Sequence, residues 1–86
     1  MNWLEIRKVY PKQWLLIEAI KARSEGGKRI LEQISVINTF PDSISAMNDY
    51  KKIKSEAPVR ELFVFHTSRE ELNISERKWI GIRGVQ

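Results

Sequence analysis

The side chains best suited to catalysis lie around position 66. His66 is the single histidine of the 86-residue chain, and Thr67, Ser68 and Glu71 follow it closely. Nucleophilic catalysis requires a base within hydrogen-bonding distance of the nucleophile and a third group that orients the base. Linear spacing does not supply that geometry, and Ser68 equally suits the cap of a short helix. We therefore interpret His66 as a partly covered strand-end residue and predict a non-enzymatic protein without catalytic residues.

Sequence motifs for metals and cofactors are missing. With one histidine and no cysteine, the chain can form neither an H-x-x-x-H pair nor a thiolate cluster. The sequence also has no Walker loop and no G-x-G-x-x-G fingerprint. We expect neither a metal site nor a cofactor.

Glu18 is the acidic residue in the most unusual setting, because it lies within the most apolar part of the chain. Burial would disfavour its ionised form and raise its pKa, which is one signature of a functional carboxyl group. Alternatively, Glu18 faces Ser35 beside Gln33 and forms a polar patch on one face of a sheet. We favour the second interpretation.

Basic residues outnumber acidic residues by fifteen to eleven, which gives a formal net charge of +4. Such a balance favours an anionic partner. The candidate contacts to that partner are Lys28, Arg29, Arg77, Lys78 and Arg83. Because the RNP pattern of sheet-based RNA readers is missing, a basic nucleic-acid-binding protein, acting within a small regulatory pair, is the alternative function.

Composition and length indicate one globular domain over residues 1–86, with 42% hydrophobic and 30% charged residues. The charged N-terminal segment lacks the apolar core of a signal peptide, and no run approaches the roughly 18 apolar residues of a membrane span. The lack of cysteine suits a reducing compartment. We expect a cytoplasmic chain without a membrane segment.

The elements that must position these side chains are organised around residues 14–40, where two apolar-rich runs flank Gly26 and Gly27. Such a pattern predicts a β-hairpin with a two-residue type I′ turn. That turn places Glu25 opposite Lys28.

Side-chain matching sets the register of the hairpin. The predicted register places Ala19 opposite Ile34 and Lys21 opposite Glu32. A slip of one residue would exchange the two faces and bring Glu18 opposite Ile34. Cross-strand pairs contribute about 0.2–1 kcal/mol each, so several matches favour the first register.

In this register the second face of the hairpin is also rich in apolar side chains. That face must be covered by the N-terminal helix, by the C-terminal segment or by another chain. We therefore predict a homodimer. The candidate interface consists of Trp14, Leu16, Ile20, Leu31 and Ile37.

Two helices are predicted from caps and prolines. Asn2 and Glu5 have the spacing of a capping box, and Pro11 ends the short helix that follows them. Asp42 or the next residue caps the main helix, whose apolar stripe ends before Pro58.

The remaining residues predict two strands and one helical turn. Residues 60–67 are apolar at both alternations, as in a central strand buried on both sides. Ser68 begins one turn of helix, Asn73 ends it, and Lys78–Gly84 forms the last strand. The order α-β-β-α-β-β predicts an α+β fold with a four-stranded, mostly antiparallel sheet and the main helix on one face.

The segments YPKQW, IEAIKA, GGKR and VINTFPDSISAM are spread over the first half of the chain. Together with the overall pattern they resemble small uncharacterised bacterial proteins that have a tyrosine-proline-x-x-tryptophan start followed by a hairpin. The resemblance implies a bacterial cytosolic protein and carries over no catalytic residue. Our leading hypothesis is an interaction or regulatory module that self-associates.

Overall fold

The computed structural model describes residues 1–76, which form an α+β fold with the predicted order α-β-β-α-β-β. The predicted last strand, Lys78–Gly84, lies outside the described residues. The elements are α1 (Trp3–Val9), β1 (Trp14–Glu25), β2 (Lys28–Phe40), α2 (Ser43–Glu56), β3 (Leu62–His66) and β4 (Ile74–Ser75).

Both helices begin at the predicted caps. The Asn2 side chain accepts the backbone N–H of Glu5 at 2.9 Å, and the Glu5 carboxylate accepts that of Asn2 at 2.9 Å. This capping box satisfies donors that a helix start leaves unpaired. The Asp42 carboxylate accepts the Ser45 N–H at 2.7 Å, and this bond lowers the pKa of Asp42. Helix α2 ends at Glu56, two residues before proline.

The hairpin turn has the predicted geometry. Its two glycines have φ angles of 58° and 78°, as a type I′ turn requires. Glu25 pairs with Lys28, and Ala19 pairs with Ile34. The predicted register is therefore confirmed at the turn and in the middle of the hairpin, and the slipped register is excluded.

Bulges change the register locally. Lys21 pairs with Gln33, so the prediction that it faces Glu32 directly is wrong, although the Nζ and Oε1 atoms of that pair lie 4.0 Å apart. Ile20 in β1 and Glu32 in β2 are left without an opposed residue, and the two irregularities cancel. A third bulge leaves Ile37 in β2 without an opposed residue. Each bulge reverses the alternation of side chains along its strand.

The sheet has the order β3-β1-β2-β4, and neighbouring strands are antiparallel. Among residues 1–76, β3 lies at an edge of the sheet and not in the central position predicted for it. Its apolar character at both alternations reflects two covered faces, which an edge strand can also have. Helix α2 connects β2 to β3 and crosses β1, which lies between them.

The predicted helical turn at Ser68 is also wrong. The chain after β3 forms a turn in which the Arg69 N–H donates to the His66 carbonyl at 3.2 Å. Asn73 then adopts a left-handed conformation with φ of 45°, after which β4 pairs with β2 next to the hairpin turn.

Apolar side chains cover both faces of the sheet. On one face, Trp3 and Ile6 of α1 join a cluster with Leu15, Ile17 and Ile34. On the other face, α2 covers the buried residues Leu16 and Leu62 and contributes its own buried residue Ala46. The N-terminal helix thus covers the first face, and the main helix covers the second.

Replacement of Leu16 by alanine should lower the free energy of unfolding by about 2–5 kcal/mol, because a fully buried side chain leaves a cavity. Ile20→Ala is the matched control, since Ile20 is 57% exposed and surface substitutions change stability by less than about 0.5 kcal/mol. Urea denaturation followed by circular dichroism measures both variants. Equal losses would contradict the assignment of Leu16 to the core.

Candidate interaction surface

Residues 20–33, here called the hairpin arm, form the most solvent-exposed part of the sheet. None of these residues is buried, whereas Leu15, Leu16 and Ile17 immediately before them are completely buried. The arm contributes to an elongated molecule of 41 × 27 × 20 Å. The same two strands therefore form the core at one end and an exposed surface at the other.

The outer edge of β1 is paired along only half of its length. Strand β3 pairs with Trp14–Glu18, and the Ala19 N–H continues this ladder to the Glu61 carbonyl at 2.9 Å. From Ile20 to Glu25, β1 has no strand partner on this side among residues 1–76. Such an edge offers N–H and C=O groups to an added strand.

The outer edge of β2 is more protected. Besides the two pairs with β4, Ile34 exchanges backbone hydrogen bonds with Met1, at 2.8 and 3.1 Å. Further along, the bulge at Ile37 interrupts the edge, and the Asn38 side chain accepts the Thr39 N–H at 2.8 Å. Bulges and side-chain bonds of this kind discourage the addition of another strand.

Two ion pairs fix the base of the arm to the start of β3. Arg60 binds Glu18 through two nitrogen–oxygen contacts of 2.7 and 3.1 Å. Arg29 likewise forms a bidentate ion pair with Glu61, with nitrogen–oxygen distances of 2.7 and 2.8 Å. Glu18 lies on the same face of the sheet as Leu16, and Arg29 lies on the same face as Leu31, so the two ion pairs lie on opposite faces. The segment before β3 is therefore tied to β1 on one face and to β2 on the other.

The pKa of Glu18 is not raised by burial, as the first interpretation of the sequence had it. The hydrogen bond from Arg60 lowers the pKa of Glu18, and it outweighs the opposing effect of burial. The pairing of Glu18 with Ser35 agrees with the second interpretation. Sequence reasoning missed Arg60, which is 42 residues away. The only local signal was an oppositely charged pair, Arg60-Glu61, at the start of a strand.

The five predicted interface residues do not form one exposed surface. Leu16 is completely buried, so its assignment to an exposed surface is wrong, and Leu31 is half-buried and packs against the α1 cluster. Ile20 is exposed, while Trp14 and Ile37 are half-buried. The bulge at position 32 explains Leu31, because it moves this side chain to the same face as Ile34.

The predicted anion contacts are also separated. Lys28 is exposed beside the hairpin turn, but the Arg29 guanidinium is occupied by Glu61 and by the Ser24 hydroxyl. The other three predicted contacts lie outside the described residues. Each arginine in the described range donates to an oxygen atom of the chain; these residues are Arg7, Arg23, Arg29, Arg60 and Arg69.

His66 lies at the end of β3, as expected, and its ring is partly covered. Its Nδ1 atom accepts the Ser68 N–H at 3.1 Å and lies 2.8 Å from the Ser68 hydroxyl. The ring meets Trp14 edge-on at 5.2 Å between centroids. Among residues 1–76, no carboxylate hydrogen-bonds this ring. The local contacts support a role for His66 in closing the turn after β3.

A cavity of about 380 Å³ lies between α1, the start of β2 and the segment before β4. Its size falls at the small end of the range of about 300–1,000 Å³ found for ligand sites. Two of the polar side chains that line it are already bonded, since Trp3 donates to the Arg69 carbonyl at 2.9 Å and Arg29 binds Glu61. Its other polar lining residues are Lys28, Glu70, Glu71 and Asn73. The apolar lining consists of Trp3, Leu4, Ile30, Leu31, Leu72 and Ile74.

Within the described range, no three histidine or acidic side chains are grouped as a metal site would require. Neither helix of this range is long and apolar enough to cross a membrane. Comparisons with protein-family models, curated proteins and solved structures find no match.

The two ion pairs predict a pH-dependent stability. Hydrogen bonds from Arg60 and Arg29 lower the folded-state pKa values of Glu18 and Glu61 below the ordinary value of 4.5. Their stabilisation is therefore fully present above pH 4.5 and is lost as the pH falls through the folded-state values. We expect the free energy of unfolding to decrease over this acidic range.

Urea denaturation at a series of pH values measures this effect. The double variant Glu18→Gln, Glu61→Gln should have a flatter pH dependence, because its side chains do not titrate. Glu56→Gln is the control, since Glu56 is exposed and forms no ion pair within residues 1–76. An unchanged slope in the double variant would contradict the prediction.

Proposed function

We propose that this chain is a non-enzymatic interaction module that self-associates through its hairpin arm. The observation that carries the proposal is the edge of β1 from Ile20 to Glu25, which lacks a strand partner among the described residues. Strand addition at such an edge is a general mode of protein recognition, in which backbone hydrogen bonds supply the affinity.

The side chains along this edge support its use as an interface. Ala22 and Ser24 are small, and Ile20 is an exposed apolar residue beside them. The edge thus combines accessible backbone with apolar surface. Charged side chains at Lys21, Arg23 and Glu25 restrict which strands can pair with it, because like charges directly opposite one another are unfavourable.

Sedimentation velocity over a protein concentration of about 1–100 µM tests the proposal, because a small interface formed by strand pairing should associate in this range. We expect a monomer–dimer equilibrium. Ala22→Pro should abolish the dimer and retain the fold, because proline at an edge removes only an outward N–H. A wild-type chain that stays monomeric at all these concentrations would contradict self-association.

Nucleic-acid binding is a second candidate function. The observation that favours it is the charge distribution, because residues 77–86 contain three basic residues and no acidic residue, whereas all eleven acidic residues precede them. A basic segment of this kind can contact phosphates through Arg77, Lys78 and Arg83.

An electrophoretic mobility assay at about 50 mM salt tests the second function. We expect retardation of duplex DNA that falls with a log-log slope of about −0.9 per phosphate contact as salt increases. Exchange of the three basic residues of 77–86 for glutamine should abolish it, whereas Lys51→Gln, Lys52→Gln should not. No retardation of the wild-type chain would eliminate this function.

A further inference from the structure

We infer that two copies of the chain pair antiparallel along the β1 edge, with Lys21 of each copy opposite Glu25 of the other. This inference rests on the proposed self-association and specifies its geometry. It follows from the direction of the backbone groups and from the order of charges along the edge.

The hairpin turn determines which backbone groups point outward. Glu25 and Lys28 flank a two-residue turn and form a hydrogen-bonded pair, so the N–H and C=O groups of Glu25 point toward β2. Because these directions alternate along a strand, the groups of Ala22 and Ser24 point away from β2. A second β1 strand must therefore form its hydrogen bonds with Ala22 and Ser24.

Three two-fold registers use these groups. They pair Ala22 with Ala22, Ala22 with Ser24, or Ser24 with Ser24 of the second copy. The first register places Lys21 opposite Arg23 and is opposed by like charges. The third places Arg23 opposite Glu25, but it shifts the pairing toward the turn glycines, which have left-handed φ angles and end the strand, and leaves Ile20 and Lys21 beyond the paired strand.

The register that pairs Ala22 with Ser24 uses the whole edge from Ile20 to the turn. It places Lys21 opposite Glu25 at two symmetric positions. These are pairs without backbone hydrogen bonds between them, in which side chains of antiparallel strands approach most closely. Lys21 is available for this contact, since its side chain is 72% exposed and only loosely associated with Glu32 at 4.0 Å.

This register also places the two Arg23 residues opposite each other on the symmetry axis. Each Arg23 guanidinium already forms ion pairs with two carboxylates of its own chain, those of Glu25 at 2.5 Å and Glu32 at 2.8 Å. When Glu25 contacts Lys21 of the second copy, Glu32 continues to compensate Arg23. The like charges on the axis are therefore neutralised locally.

Two other contacts compete with this arrangement. The outer edge of β3 also lacks a strand partner among residues 1–76, but Leu62–Phe65 carries no charge that would select one register. Residues 77–86 of the same chain are the other candidate, since Glu76 donates its N–H to the Gly27 carbonyl at 2.8 Å, next to this edge. Charge exchange on β1 distinguishes these alternatives.

The experiment compares Lys21→Glu, Glu25→Lys and the double exchange with the wild-type chain by sedimentation velocity. Each single exchange replaces two attractive pairs by two repulsive pairs and should raise the dimer Kd about tenfold. The double exchange restores attraction and should return the Kd to within about threefold of the wild-type value. Lys52→Glu, the same charge change on the exposed face of α2, should leave the Kd unchanged.

The outcomes separate this inference from the proposed function. A wild-type dimer that both single exchanges leave unchanged would overturn the register and point to the β3 edge, while self-association would stand. A double exchange as weak as the single exchanges would also overturn the register, provided that circular dichroism shows a folded chain. A wild-type monomer would instead overturn the proposed self-association.

Discussion

The antiparallel ladder between β1 and β2 is the interaction on which the rest of the structure depends. Strand β1 also pairs with β3, and β2 pairs with β4, so both strands of the hairpin bind the chain that follows α2. Its consecutive residues Leu15 and Leu16 enter the clusters on opposite faces of the sheet. A slip of one residue would exchange them and expose both clusters.

The compensating bulges at Ile20 and Glu32 explain how one hairpin serves both as core and as exposed arm. They reverse the side-chain alternation in the arm while restoring the register at the turn. As a result, Leu31 reaches the α1 cluster, and Arg29 reaches Glu61 across the intervening strand. These two contacts attach the arm to the body in addition to the ladder between β2 and β4.

The features predictable from the sequence are those determined by neighbouring residues. The turn glycines, the cap at Asn2 and the end of α2 before Pro58 each depend on local backbone preferences. The bulges, the edge position of β3 and the partner of Glu18 depend on distant residues. No periodicity within β1 indicates that Arg60, beyond a whole helix, neutralises Glu18. Strict alternation likewise places Leu31 on the same face as Leu16, but the bulge at Glu32 moves it to the opposite face, where it contacts the α1 cluster.

The position of β3 along β1 has a consequence for the length of any strand that binds there. The ladder of β3 ends where the Ala19 N–H meets the Glu61 carbonyl, and the hairpin turn begins after Glu25. An added strand would lie end to end with β3 and would be limited by it. At about 3.4 Å per residue, the six residues of β1 without an outer strand partner among residues 1–76 span about 20 Å. The pairing is therefore limited on the β3 side, whereas an added strand, such as β1 of a second copy, can extend past the hairpin turn on the other side.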